Sequence, residues 1–198
     1  MTPTTRRGFS LIELLVAGSI ILILAALAIP SLLTHVYAIR IRYSATDLSG
    51  LLQNARMEAV RRNSFYSLQQ TSQNNTAIEQ VVDKNGNVVT TIAPAVMASN
   101  VNIFFGPGSG APAEGTLLTT LNFTPATGAA GLPSFNSRGL PCVPVGAITC
   151  PLLAGQGFVF FLSRSSDTGG SSGWSAVAVT PSGRCQVWAY DGTNWIQL

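Results

Sequence analysis

From Leu14 to Thr34 the chain runs 21 residues without a charged side chain. About 20 such residues, wound as an α-helix, span the hydrocarbon core of a bilayer. No other stretch restricts the fold so strongly, because a backbone in lipid must satisfy its own hydrogen bonds. Arg6 and Arg7 precede the run. That bias keeps the N-terminal end cytoplasmic and sends the rest of the chain across the membrane. With 198 residues in total, the remainder has room for one compact domain.

An ordinary secretory signal has a basic start, a short apolar stretch and a small-residue cleavage site. This run is long for such a signal, and no A-x-A site clearly follows it. A plain membrane anchor fits the length. Neither reading accounts for Glu13, which stands at the head of the run, four residues after Phe9. A carboxylate there costs roughly 2.5–3.5 kcal/mol on insertion and marks a functional position.

The segment GFSLIELLVA, residues 8–17, resembles the class III signal of type IV prepilins and type II secretion pseudopilins. The resemblance implies that a prepilin peptidase/methylase of the membrane cuts after Gly8 and methylates the new N-terminal Phe9. Glu13 then falls at the fifth position of the mature chain. A fresh α-ammonium in apolar surroundings needs a counter-charge. In the family, the glutamate of one subunit is thought to pair with the N-terminus of its neighbour. The implied partners are the processing enzyme, other pilin or pseudopilin subunits reached through the N-terminal helix, and the inner membrane. The implied location is the bacterial inner membrane, single-pass with the head in the periplasm, and then the pilus or pseudopilus.

Pro30 corresponds to a position where many pilins also carry proline. Proline removes a helical hydrogen bond and kinks the helix, and a kink is expected here because helical periodicity resumes afterwards. Leu48, Leu51, Leu52, Ala55 and Ala59 recur at helical spacing. Arg40, Arg42, Arg56, Arg61 and Arg62 are expected on the opposite, solvated face. Glu58 and Arg62 form an i,i+4 pair in the favourable order. The expected division is a leader over 1–8, a membrane and filament-core half-helix over 9–34, an amphipathic half over 35–63, and a head over 64–198. The helix is expected to end near Arg62, with Asn63-Ser64 as its stop.

From Phe65 onward the pattern shifts to short apolar or alternating runs between turn residues, which reads as β-structure. Expected strands are FYSLQ, AIEQVVD, NVVTTIA, VNIFF, TLNF, GFVFFL, WSAVAV and CQVWAY. Asn85-Gly86 and Asp191-Gly192 are hairpin signals, and Trp188 and Trp195 are expected to pack across the second hairpin. The fold class is therefore α+β, a long helix packed on a β-rich head. SFNSRG (134–139), GFVFFL and SAVAVTPSGRCQVW resemble the head of GspH/FimT/FimU-type minor pilins and pseudopilins. That resemblance implies a minor subunit at or near a filament tip that primes assembly. A type II secretion pseudopilin is the alternative.

Three cysteines, Cys142, Cys150 and Cys185, imply one bridge and one leftover thiol in an exported protein. Cys142 and Cys150 bracket a short proline-rich loop and are the favoured pair, worth about 2–3 kcal/mol by loop entropy. A bridge to Cys185 is the other reading.

Charged residues are only 10% of the chain, against about 25% in an average domain. Loss of Arg6 and Arg7 with the leader leaves nine basic against eight acidic side chains, a net of +1. The net charge of the whole chain is thus mostly a leader property. Some FimT-like proteins capture DNA with a Gly-Arg-x-Arg loop. The matching positions here are Gly183, Arg184, Cys185 and Gln186, so the second arginine is missing. Arg184, with Arg138 and Arg164, makes the candidate DNA contact, and a charge near +1 argues against it. His35 is the single histidine. Alone it builds no triad or metal site, and no phosphate loop or nucleophile elbow is present. No catalytic residue, metal or cofactor is expected.

Overall fold

The computed structural model describes residues 10–74, 76–126, 133–164 and 173–198. Its contacts divide the chain into two compact units, Met1–Val36 and Tyr37–Leu198. The leader 1–8 and Phe9 lie outside the described residues.

One helix, α1, covers Leu11–Arg61 and belongs to both units. It runs through position 30, so Pro30 does not end it. In the first unit, Leu11–Ile29 has a mean hydropathy of 2.7 and none of it is buried within the protein. Leu11, Ile12, Leu14 and Leu15 all stand exposed. A helix apolar on all sides belongs in a membrane or inside an assembly.

The second unit begins with the amphipathic half of α1. Ile41, Ala45, Leu48, Leu52, Ala55 and Ala59 are buried in its core. The helix stops where Asn63 turns left-handed at φ 50°. Ser64 N–H donates to Ala59 O at 3.1 Å, closing the last turn.

Two sheets follow. The first joins β3 (Ala95–Val96), β2 (Thr76–Val82), β1 (Tyr66–Gln73), β6 (Ser134–Phe135) and β7 (Pro141–Cys142), in that order. The second joins β11 (Trp195–Gln197), β10 (Cys185–Tyr190), β9 (Ser175–Val179), β8 (Gln156–Arg164) and β4 (Val101–Phe105). The short β5, Thr124–Pro125, runs parallel to the start of β8. All other strand pairs are antiparallel.

The alternation along β8 explains the layering. Phe158, Phe160 and Leu162 join Leu68, Val81 and Phe135 of the first sheet in the core against α1. Val159 and Phe161 point the other way, into a second cluster with Trp174, Trp188, Tyr190, Trp195 and Leu117. A strand covered on both faces reads as a continuous apolar run, as GFVFFL does. Leu117 comes from α2, Glu114–Leu121, which the sequence pattern did not anticipate. Its presence corrects the expected TLNF strand: Thr120 and Leu121 are helical, and Asn122 caps the helix with φ 54°.

Two other expectations shift. NVVTTIA forms no strand; only Val88 makes a bridge, to Val82, beyond the Asp83–Asn87 turn. The Asp191-Gly192 hairpin is present, but Trp195 stands opposite Tyr190, not Trp188. The Tyr190 and Trp195 rings lie 5.4 Å apart, and Trp195 also meets Phe161 edge-on at 5.9 Å.

Truncating a core residue of the α1 interface tests this packing. Leu48→Ala should cost about 2–5 kcal/mol in chemical denaturation of the detergent-solubilised full chain. A loss below about 1 kcal/mol would contradict a helix keyed into both sheets.

Candidate functional site

Gly8 and Phe9, the expected processing pair, lie outside the described residues. Glu13 sits in the first turn of α1, where a carboxylate complements the positive end of the helix. Ile12, Val16, Ala17 and Ile20 surround it in a shallow apolar groove of about 360 Å³. A lone charge among exposed aliphatic side chains is stable in an assembly only with a cationic partner.

At the far end of α1, Glu58 is buried while Arg61 and Arg62 remain exposed. Arg61 Nε donates to Glu58 Oε2 at 2.8 Å, and Arg62 Nε to Oε1 at 3.0 Å. The Arg61 hydrogen bond first, against the effect of burial, and then Arg62 hold the Glu58 carboxyl below its usual range.

Arg56 does not belong to the solvated face where periodicity placed it. Its Nε donates to Gly139 O at 3.0 Å, and its Nη2 reaches Ser182 O at 3.5 Å. Those carbonyls belong to two turns, Asn136–Gly139 and Thr180–Gly183, which abut. Gly183 has φ +79°, and a Cβ there would fall on the Gly139 carbonyl oxygen. Arg56 therefore ties the helix to the two turns carrying the SFNSRG and SGR motifs.

Arg138 and Arg184 are exposed on these neighbouring turns. Arg164 is not with them. It ends β8 opposite Val101, whereas the Thr180–Arg184 turn follows Val179, which pairs with Phe158 near the other end of that strand. The guanidinium of Arg164 lies 3.8 Å over the Tyr37 ring. The three arginines thus form no single basic patch. Trp188, Tyr190 and Trp195 are all buried and offer no open face for base stacking.

Cys142 and Cys150 are joined in a disulfide, with Cα atoms 5.4 Å apart. The loop that they close carries Val145 and Ile148, both exposed. Cys185 is a free thiol, and burial pushes its pKa up to about 11, which makes it a poor nucleophile. Among the described residues, no three His, Cys, Asp or Glu side chains gather where they could hold a metal ion.

One buried acid escaped the sequence reading. Glu79 looks like an ordinary polar position in AIEQVVD, yet it is 4% exposed on β2, between Gln70 and Ala95 of the flanking strands. Only its period-2 phase with Ala77 and Val81 could have flagged it. Burial, partly offset by a hydrogen bond from Gln70, raises its pKa to about 7.

Comparison with known proteins finds similarity at the N-terminus and over part of the chain. Residues 4–29 match the family described as the prokaryotic N-terminal methylation motif. The pilin-like protein PilA1 of Thermus thermophilus is 37% identical over 83 residues, which cover 42% of this chain and 52% of that protein. The chain therefore spans about half the length of this curated relative. Two crystal structures of the Pseudomonas aeruginosa type IV minor pilin FimU are similar at 14% identity. They have TM-scores of 0.47 and 0.45, covering 79% and 78% of this chain and 92% and 95% of theirs. The chain thus carries a prokaryotic N-terminal methylation motif and is similar over 83 residues to a pilin-like protein.

Glu79 makes stability depend on pH. A carboxyl whose pKa is higher folded than unfolded binds its proton more tightly in the native state. The stability that Glu79 contributes is then fully present below about pH 4 and is lost as pH rises towards 7. The loss across that interval should be about 3 kcal/mol. Glu79→Gln should flatten it and stabilise the protein at pH 7–8, measured by denaturant midpoints across pH. An unchanged pH profile would show that Glu79 ionises normally.

Proposed function

We propose that this chain is a minor pilin of a type IV pilus. In this reading the prepilin peptidase cuts between Gly8 and Phe9 and methylates Phe9. The single pass over residues 9–34 holds the precursor in the inner membrane, with residues 35–63 and the head 64–198 in the periplasm. Assembly then inserts the same helix into the filament core, at or near the tip, where the subunit primes polymerisation.

The observation that carries this is Glu13. It is an acid in the first turn of α1, in the exposed apolar segment Leu11–Ile29, with no ion-pair partner among the described residues. The α-ammonium that cleavage creates at Phe9 supplies the missing charge when a neighbouring subunit docks. The methylation-motif match over residues 4–29 supports the processing step. The resemblance of SFNSRG and SGR to minor-subunit heads supports the minor class, and the Arg56 clasp gives those two motifs a shared structural purpose. A bend at Pro30 would let the core half of the helix and the head adopt their separate packings.

Two substitutions separate processing from assembly. A residue larger than alanine at Gly8 should leave the leader attached, seen as a heavier precursor by mass spectrometry. Glu13→Ala should still be cleaved and inserted but should fall many-fold in sheared filament fractions. Normal maturation of the Gly8 variant, or normal filament incorporation of Glu13→Ala, would refute the corresponding step.

A further inference from the structure

The first turns of α1 within the second unit carry a concentration of positive charge that neither the fold nor the processing reading uses. Arg40 and Arg42 are exposed. Arg164 lies 3.8 Å over the face of Tyr37, and Arg40 approaches the same ring at 5.8 Å. Tyr43, one residue beyond Arg42, is 69% exposed. None of the three arginines has an ion-pair partner among the described residues. Arg61 and Arg62, at the other end of the same helix, share Glu58.

Position along the chain gives this cluster its meaning. Tyr37 follows the apolar segment Leu11–Ile29 after only seven intervening residues. Tyrosines and long cationic side chains close after a membrane segment occupy the headgroup layer, ring against the acyl boundary and charge among phosphates. Here they stand on the exported side, where basic residues oppose the orientation set by Arg6 and Arg7. Cations on that side are tolerated best with a local anionic partner. Helical geometry turns Arg40 and Arg42 to opposite flanks of α1, about 200° apart at 100° per residue, and Arg164 adds a third cation from β8. The result is a collar around the helix, not a stripe along it.

We propose that Arg40, Arg42 and Arg164, with Tyr37 and Tyr43, form a docking collar for anionic phospholipid headgroups. It tethers the first turns of the second unit to the headgroup layer. The proposal rests on reading residues 11–29 as membrane-spanning. DNA suits the cluster poorly, because Arg164 covers the Tyr37 face that a base would need for stacking. Stacking on Tyr37 also orders the Arg164 guanidinium while its N–H edges stay available for phosphate oxygens.

Full-length protein in a neutral detergent provides the test. Native mass spectrometry would count phosphatidylglycerol against phosphatidylcholine adducts, alongside flotation with purely phosphatidylcholine vesicles. The expected result is flotation with neutral vesicles, selective retention of phosphatidylglycerol, and about fivefold weaker retention for each Arg→Gln change. The triple variant R40Q/R42Q/R164Q should lose retention on the order of a hundredfold. R40K/R42K, with Arg164 kept on Tyr37, should bind nearly as the parent does, which separates charge from folding. Flotation without preference for phosphatidylglycerol, or preference that survives the triple Gln change, would overturn the collar alone. Failure to float would overturn the spanning segment and the collar together.

Discussion

The head is organised by one contact, the apolar stripe of the second half of α1 laid against both sheets at once. Leu48, Leu52, Ala55 and Ala59 are completely buried there. Ala45, Ala55 and Ala59 flank the leucines along the stripe, and all three alanines are fully buried. Neither sheet is large enough to bury its inner face alone. The first has two-residue strands at β3, β6 and β7, and such fragments persist only because the helix and the second sheet cover them.

This packing places the polar fixings. Ser44 on the helix accepts the Ala98 backbone N–H at 3.0 Å, tying in the β3–β4 connection. Arg56 does the same for the two glycine turns. Ser67 and Ser134 share a buried hydrogen bond of 2.6 Å between β1 and β6. Each satisfies polar groups that burial would otherwise leave costly. Together they explain how a domain with few charges and many loop residues keeps one arrangement. The stapled Cys142–Cys150 loop adds a covalent restraint next to the shortest strands.

The two halves of α1 obey different solvents. The apolar half is exposed along Leu11–Ile29 and carries one acid, Glu13. The later half has a narrow buried stripe and arginines elsewhere. That contrast is what the proposed minor-pilin reading requires, in which the same apolar surface would meet lipid and then neighbouring helices. A paired charge at Glu13 would give such packing a fixed register, because an unpaired carboxylate in that setting is strongly disfavoured.

The chain's order of elements was legible in its sequence where a period ran long enough to be unambiguous. The helix end at Arg61 was visible in Asn63-Ser64, and the 48-51-52-55-59 stripe and the β8 run were visible as patterns. Local chemistry sufficed, because capping, helical spacing and continuous burial each leave a mark within a few residues. Other features arose only from tertiary structure. Arg56 is separated from Gly139 by 83 residues, and no local rule distinguishes it from the solvated Arg61. Glu79 became a perturbed acid only when neighbouring strands excluded water from it. The segment at 114–121 turned helical because Leu117 found a pocket over the far face of the second sheet, although the sequence there reads equally as a loop leading to a strand. The separation of Arg164 from Arg138 and Arg184 was decided by the length of β8. Sequence thus determined the long apolar segment, the N-terminal methylation motif and the periodic faces. Tertiary structure decided which charges meet, because contact between distant residues depends on how the sheets close around the helix.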